Sequence, residues 1–404
     1  MSHLARLTPS LLIDLLVLLA YFALIVGLGL WAGRSNRNLT EFALGGRSIP
    51  WWAVLASIVA AETSAATFLG TPAEGFKTRS FVYGQFAIGT VLARIIIAAT
   101  FIQPYYRYRV QSIYEFLEIR FGPLTRNLAS AIFLFTRVLG IGVRLYLGGV
   151  IIKIIWNYLY PGSETNLSLY FFGILAITLL TTLYTAIGGI KAVVWTDFIQ
   201  ASLMLGSVAV AIASLLAAIP GGWSEVVRRL GGFPAVWQLG FQPTAGFGSA
   251  LRQVLEEPYT LVAALVASTF LTMSTHGTDQ DMVQRMLTAP NFRKSQLSLI
   301  LSGLADLPIA ASFLLVGILL SVYYQCYPDP QLPNADNEVF AYYIMTRLPA
   351  GVRGLIIAGV FATMMGSTSA ALNALATSFT KDFYLPYFQR NPRPGSAIRA
   401  ARWA

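Results

Sequence analysis

The sequence predicts an all-α, polytopic membrane protein with about nine transmembrane helices. Of its 404 residues, 56% are hydrophobic and only 11% are charged, and the mean hydropathy is +0.63. This composition leaves too little polar surface for a soluble domain. Each predicted span holds roughly 20 mostly apolar residues, the length that crosses a hydrocarbon core. The spans are 10–33, 50–70, 80–103, 127–153, 168–187, 193–219, 258–278, 296–324 and 351–378.

The leading helix, 10–33, is predicted to be a span rather than a cleaved signal peptide. It is too long for a signal sequence and has no small-residue cleavage site. Arg and Lys are more frequent on the side of the membrane that includes the loop 104–126, so that side is predicted to be cytoplasmic and the N-terminus outside. The net charge of +10 follows from this bias. Because the basic residues are scattered, they argue against nucleic-acid binding.

The second span, 50–70, is polar at its centre, where Glu62, Thr63 and Thr67 lie close together. An acid at that depth is costly, so it usually marks a functional site. Backbone unwinds inside a bilayer only where it lines a cavity or is held by other protein groups. Its carbonyl oxygens, together with hydroxyls, form the shell that a hard cation prefers. The alternative interpretation is a kinked structural helix in which Glu62 pairs with Arg94 of the third span.

The seventh span, 258–278, is interrupted in a similar way by the polar run 274–279. Two interrupted helices at matching places of two halves are typical of the binding sites of secondary transporters. The sequence therefore predicts a transport site formed by the two breaks.

The ninth span, 351–378, carries the hydroxyl residues Thr363, Ser367 and Ser369 among Gly and Ala. Thr363 and Ser367 are four residues apart and share one helical face. Small residues also let a second helix approach closely, so a packing face is the alternative interpretation.

Further charged residues lie within or near the spans. Asp197, at the start of the sixth, is either a site residue or an interfacial acid favoured by a helix N-terminus. Asp306 lies well inside the eighth span. Arg137 and Arg144 share a face of the fourth, and for them snorkelling towards the interface is the simpler interpretation.

Enzyme function is not predicted. His3 and His276 are the only histidines, and no group of Cys, His and acidic residues has metal-ligand spacing. A phosphate-binding loop that ends in Lys-Ser/Thr is absent from the sequence, so transport must draw its energy from an ion gradient. Cys326 is the only cysteine, which rules out an internal disulfide.

Four stretches of the chain resemble the solute:sodium symporter family, whose members carry sugars, proline, pantothenate and monocarboxylates across membranes. The stretches occur in the family's order and extend over nearly the whole chain, and the second is the most specific. They are GGRSIPWW at 45–52, GGIKAVVWTDFIQ at 188–200, DQDMVQR at 279–285, and LN at 372–373 with TKDFY at 380–384.

The resemblance implies the leucine-transporter-like fold, built from two inverted repeats. The chain is then a single transmembrane transporter domain over 1–404. Its expected parts are a leading helix at 10–33, a first five-helix repeat at 50–219, and the first three helices of a second repeat at 258–378.

The resemblance also implies a sodium site between the broken second span and the ninth. The matching positions depart from the family at Gly366, where Ser is usual, so the site is expected to be weakened or differently built. A possible second sodium ion would be held by Asp197 and Ser369, with Ala370 at the position of a missing ligand. The residues expected at the main sodium site are Ala60, Thr63, Thr363, Gly366 and Ser367.

Substrate residues in the family come from the broken helices and from two neighbouring spans. The family's sugar carriers have Asn and Gln where this chain has Glu62 and Thr67, which argues against a sugar. Arg94 is suited either to receive a substrate carboxylate or to neutralise Glu62. The expected substrate neighbourhood is Glu62, Thr67, Gln85, Arg94, Asp279, Asp281 and Asp306.

Together these features predict a sodium-coupled secondary active symporter that imports a small polar organic solute across a bacterial cell membrane. The alternative is the transporter-like sensor module of a signalling protein. Members of the family have about thirteen spans and this chain stops near the tenth, so we expect a C-terminally truncated frame or fragment. The oligomeric state stays open.

Overall fold

The computed structural model describes residues 9–35, 38–160, 167–240, 246–389 and 395–404. All regular secondary structure among these residues is helical. Short 3₁₀ turns occur at Gly33–Ser35, Gly45–Arg47 and Val82–Gln85. The helices are α1 (Pro9–Ala32), α2 (Leu39–Leu44), α3 (Trp51–Glu62), α4 (Ala65–Thr78), α5 (Phe86–Thr100), α6 (Ile102–Arg107), α7 (Ile113–Phe121), α8 (Pro123–Leu159), α9 (Leu167–Ala218), α10 (Gly222–Leu230), α11 (Phe247–Glu256), α12 (Leu261–Gly277, partly π-helical), α13 (Gln280–Met286), α14 (Phe292–Cys326), α15 (Asp336–Arg347), α16 (Val352–Ser378, followed by the π-helical Phe379–Phe388) and α17 (Ser396–Trp403).

Within the described ranges, six helices are long and apolar enough to cross a membrane, or up to eight if each bent helix pair is one span. The bent pairs are Leu39–Arg47 with Trp51–Glu62, at 113°, and Phe247–Glu256 with Leu261–Gly277, at 69°. The sequence predicts about nine membrane spans and counts α9 as two of them. This number of spans stays a prediction.

The helix α9 joins the predicted spans 168–187 and 193–219 in one run of 52 residues. At 1.5 Å per residue, this is more than twice the roughly 30 Å thickness of a hydrocarbon core. Gly189 leaves helical geometry with φ 56° and ψ −156°. A Cβ there would lie 2.7 Å from the Phe42 carbonyl oxygen, so both the backbone angle and the close contact require glycine. Two helices therefore meet at Gly189.

Both predicted interruptions are present. The first separates α3 from α4 at Thr63 and Ser64. The second separates α12 from α13 at Thr278 and Asp279, where the Asp279 side chain caps α13 by accepting a hydrogen bond from the Asp281 N–H. The segments on both sides of each break are helical. Each break therefore lies within the locally polar stretch in which the sequence predicted it.

The centre of the bundle is α16, which is buried along almost its whole length and packs against α9, α8 and α1. By contrast, α1 is largely exposed at the periphery. On the other side, α14 packs against α4, α5 and α3. The helices α3, α4 and α13 are therefore held between α16 and α14, whereas α12 packs against α5, and this arrangement positions the candidate site.

Candidate functional site

The break in the first interrupted helix supplies backbone oxygen atoms inside the bundle. Thr63 and Ser64 have extended backbone, with φ/ψ of −82°/97° and −89°/169°. The Ser64 hydroxyl caps α4 by accepting a hydrogen bond from the Thr67 N–H at 3.4 Å. The last carbonyl groups of α3, after that of Val59, lie at a helix C-terminus and carry its partial negative charge. They form a place where a cation is stabilised.

Gly366 of α16 faces this break. A Cβ built on Gly366 would lie 3.7 Å from the Ala60 carbonyl oxygen and 3.5 Å from Asp197 Oδ1. The structure therefore brings together Ala60, Gly366 and Asp197, which the sequence divided between two expected sodium sites.

The three hydroxyl candidates of α16 are Thr363, Ser367 and Ser369, and all three are buried. Each donates its proton to the carbonyl three residues earlier, at 2.8, 3.2 and 3.0 Å respectively. Since the protons are engaged within the helix, each hydroxyl has only oxygen lone pairs to offer a ligand. Lone pairs suit a cation.

Asp197 is fully buried in α9, so the interpretation of it as an interfacial acid is wrong. Its Oδ2 accepts hydrogen bonds from the Ser57 hydroxyl at 2.6 Å and from Arg285 Nη1 at 3.0 Å. Sequence reasoning missed both partners. Arg285 could have been singled out from the sequence, because it ends the stretch 279–285 that carried the family resemblance. Ser57 could not, because it is an isolated hydroxyl residue in an apolar helix.

Arg94 pairs with Glu62, as the alternative interpretation of the break predicted, and it also binds Asp306. The Arg94 side chain is fully buried, and its Nη2 contacts Glu62 Oε1 and lies 2.6 Å from Asp306 Oδ2. Its Nη1 donates to the Ser302 hydroxyl at 2.9 Å. His276 Nε2 lies 2.7 Å from Glu62 Oε1, which brings the second interrupted helix to the same carboxylate.

A cavity of about 230 Å³ opens beside this charged cluster. Glu62, Thr67 and Asp306 line it together with aromatic side chains that include Tyr83 and Phe86. Carboxylates and hydroxyls against aromatic walls are typical of a pocket that orients a small organic molecule.

Gln85 lies elsewhere, although it was expected near the substrate. Its Oε1 accepts from the Gln238 N–H at 3.2 Å, and its Nε2 contacts the carbonyl oxygen of Tyr259. The side chain thus anchors the segment that precedes α12 and does not line the 230 Å³ cavity.

Asp279 and Asp281 lie at the second interruption with Arg137. Asp279 Oδ2 pairs with Arg137 Nη2, while Arg137 Nη1 lies 3.3 Å from Asp281 Oδ2, so Arg137 does not snorkel. Asp279 lines a separate cavity of about 490 Å³ bordered by α7, α8 and α12. The expected substrate residues therefore do not share one cavity: Glu62, Thr67 and Asp306 line the smaller one, and Asp279 lines the larger one.

Known proteins resemble this chain over nearly all its length. The profile of the Sodium:solute symporter family matches residues 42–403. The Sodium/sialic acid symporter SiaT of Proteus mirabilis is 27% identical over 395 residues, which cover 96% of this chain and 75% of that protein. The Sodium-dependent multivitamin transporter of Oryctolagus cuniculus is 30% identical over 389 residues, or 93% of this chain and 57% of that protein.

The fold also resembles a solved structure of a Na⁺-coupled sialic acid symporter in a substrate-bound, outward-open state. The TM-score is 0.83 at 25% sequence identity, and the match covers 97% of this chain and 79% of the other. The protein is thus a helical integral membrane protein that couples transport of a small organic solute to sodium, and it is not an enzyme. The interrupted helices, the bundle around α16 and the matches to known carriers lead to one conclusion: the chain belongs to the sodium:solute symporter family.

Proposed function

We propose that the transported sodium ion binds where the break between α3 and α4 faces α16. The ligands are carbonyl or hydroxyl oxygens of Ala60, Thr63, Thr363, Gly366 and Ser367. The observation that carries this proposal is the approach of the Ala60 carbonyl oxygen to Gly366 at buried positions of the bundle. Backbone and hydroxyl oxygens in such a place replace the hydration shell of a hard cation.

A second sodium ion is proposed beside Asp197 and Ser369. Two observations support it: Asp197 is fully buried, and its Oδ1 has no hydrogen-bond partner among the described residues. An uncompensated carboxylate oxygen is costly in the protein interior, and a cation would satisfy it.

The proposed solute is small, polar and organic, and it occupies the cavity beside Glu62, Thr67 and Asp306. Arg94 forms ion pairs with both carboxylates. These contacts support a role in positioning Glu62 and Asp306 rather than in binding a substrate carboxylate directly. Asp279 lines the other cavity and shares Arg137 with Asp281, and we propose that this second space lies on the cytoplasmic route out of the site.

The proposed direction of transport is import across a bacterial cell membrane, with the N-terminus outside. Relatives from bacteria support the location, and the basic residues near span ends support the orientation. The proposed repeats are 50–219 and the partial repeat 258–378, following the leading helix at 10–33. Each begins with an interrupted helix, which supports alternating access around a site between the breaks.

A solute screen on the purified protein tests the proposal. Melting temperature is measured in detergent in sodium and in potassium at equal ionic strength, with a panel of amino acids, organic acids, amines and vitamins. A solute that stabilises the protein more in sodium than in potassium supports the proposal, and uptake of that solute into sodium-free vesicles placed in sodium-containing medium follows. Melting that is identical in the two salts with every solute would contradict it.

A further inference from the structure

A basic cavity, which the proposed sodium and solute sites do not use, lies at one end of a membrane span. The apolar run Val82–Arg107 is long enough to cross a membrane and ends at Arg107, the last residue of α6. A cavity of about 330 Å³ lies there, between the end of α5, α6 and α7. Arg107 lines it from α6 and Arg120 from α7, and the described residues that line it include no acid. The cavity therefore carries positive charge.

The two acidic residues of α7 are engaged with other cations. Glu118 pairs with Arg126 at 2.5 Å, and Glu115 pairs with Lys381 at 3.1 Å. Within the part of the chain that the structure describes, neither arginine of the cavity has a carboxylate at ion-pair distance. Two guanidinium groups that converge on one cavity without a counterion favour an anionic ligand.

An aromatic wall holds one of these arginines over the cavity. The Arg120 guanidinium carbon lies 5.8 Å from the centre of the Phe116 ring, which is a cation–π contact. The Phe116 ring centre lies in turn 5.7 Å from that of Tyr108, and both rings line the cavity. Thr100 and Gln103 add hydrogen-bonding groups. Charge, polar groups and an apolar wall are the usual components of a ligand pocket.

An exposed apolar face of α5 leads to this cavity. Leu92 and Ile95 are 40% and 47% exposed, and Ala99, which is also exposed, lines the cavity itself. The three positions are spaced i, i+3 and i+7, so they share one helical face. In an integral membrane protein such a face contacts acyl chains. A molecule with an anionic head and an apolar tail matches the cavity and this face together.

We propose that this cavity binds the headgroup phosphate of an anionic phospholipid, with an acyl chain along the exposed face of α5. Arg107 and Arg120 bind the phosphate oxygens, because the guanidinium fork matches phosphate geometry. Basic pockets beside membrane spans are places where such headgroups bind. Snorkelling of each arginine towards the interface explains its exposure but not the convergence of both on one cavity. The inference does not depend on the proposed sodium and solute sites.

The test is a lipid titration of melting temperature, with the purified and delipidated protein in detergent at constant salt. Dioleoylphosphatidylglycerol supplies the anionic headgroup, and dioleoylphosphatidylcholine has the same acyl chains without net charge. We expect saturable stabilisation by phosphatidylglycerol and much less by phosphatidylcholine. Inorganic phosphate at the same concentrations distinguishes a lipid from a free anion. It should stabilise the protein much less than phosphatidylglycerol, because it has no acyl chain to place on α5.

Two variants assign the effect to the cavity. Arg107→Gln combined with Arg120→Gln should raise the phosphatidylglycerol concentration at half-maximal stabilisation by about 30-fold, or about 5-fold for each charge removed. Arg293→Gln is the matched control. Arg293 is also exposed and lies 5.9 Å from the centre of a phenylalanine ring, that of Phe292, but it does not line the cavity. This control should titrate as the unaltered protein does.

Native mass spectrometry gives a second measurement that does not depend on stability. The unaltered protein and the Arg293→Gln variant should retain one more phosphatidylglycerol than the double variant does. Equal stabilisation by the two lipids would overturn the inference, since the headgroup charge would then be irrelevant. Inorganic phosphate that acts as strongly as phosphatidylglycerol would identify a free-anion site instead. Equal titration of the double variant and the Arg293→Gln variant would show only a general attraction to basic surface.

Discussion

At the scale of single residues, Arg94 is one of the buried charges that hold helices of the bundle together. It is fully buried and compensates two carboxylates, on Glu62 and Asp306, that belong to different helices. Each carboxylate is about one-fifth exposed, which is consistent with a position at the wall of a cavity. The geometry is that of a shared counterion rather than of one isolated salt bridge.

We predict that Arg94→Gln destabilises the protein more than Glu62→Gln does. The first change leaves two carboxylates without a cation, whereas the second leaves Arg94 paired with Asp306. Breaking a buried pair by removing one partner costs roughly 3–5 kcal/mol. Unfolding in detergent measures the effect, and Arg293→Gln, at an exposed position, is the control.

The double change of Glu62 and Arg94 to Gln should not restore stability, because Asp306 would still lack its cation. A double-mutant cycle isolates this third partner. If the Arg94→Gln variant is as stable to unfolding as the Arg293→Gln variant, the shared-counterion interpretation is wrong.

A second residue-scale prediction concerns Asp14 of α1. Its carboxylate accepts hydrogen bonds from Arg353 Nε at 2.6 Å and from the N–H groups of Gly351 and Gly354 at 2.8 and 2.9 Å. Asp14→Ala should cost about 3 kcal/mol of unfolding free energy, because it leaves Arg353 and the start of α16 unsatisfied. Sodium titration midpoints should stay unchanged, since Asp14 lies away from the break.

The control for Asp14 is Asp336→Ala, at an exposed position in the first turn of α15. It should cost less than about 1 kcal/mol. Equal destabilisation by the two changes would mean that α1 is not anchored through Asp14.

At the scale of helices, the fold depends on the close approach of α4 and α14. A Cβ on Gly317 would collide with the Pro72 carbonyl oxygen, and a Cβ on Gly75 with the Leu314 carbonyl oxygen. Both obstacles are backbone atoms, which cannot move without displacing a helix. This contact positions α14, and with it Asp306, against the broken helix.

We predict that Gly317→Ala destabilises the protein by about 1–3 kcal/mol through overpacking. Gly206→Ala is the matched control, since Gly206 also lies within a helix and nothing lies within 4 Å of a Cβ there. That control should be neutral or stabilising by up to about 1 kcal/mol. Chemical unfolding of the two variants makes the comparison, and an equal effect of both would exclude a tight crossing of α4 and α14.

At the scale of the whole molecule, sodium should act as a stabilising ligand. An ion that binds only the folded protein adds RT ln(1 + [Na⁺]/Kd) to its stability, about 2.7 kcal/mol at 100 times Kd. We therefore predict that melting temperature rises with sodium and then flattens, while potassium at the same ionic strength has a smaller effect. Differential scanning fluorimetry in detergent measures this. A rise that is the same for both salts would indicate a general salt effect and count against bound sodium.

The sequence by itself determined the fold class and the positions of both helix breaks. Both are local properties: a bilayer needs a long apolar run, and a polar interruption within one needs protein partners. The pairing of Glu62 with Arg94 was one of two interpretations that the sequence left open, because a buried acid usually pairs with a cation but also usually marks a functional site.

Only the tertiary structure decided which side chains meet. Asp306 as a second partner of Arg94, Arg353 as the partner of Asp14, and Gln200 beside Gly366 all join residues that are far apart in the chain. The structure also separated Gln85, Asp279 and Asp281 from the cavity beside Glu62. Hydropathy and spacing report how deep a residue lies and which face of its own helix it occupies. The partner across that face depends on how the helices cross, and that is set by contacts such as those of Gly317 and Gly366.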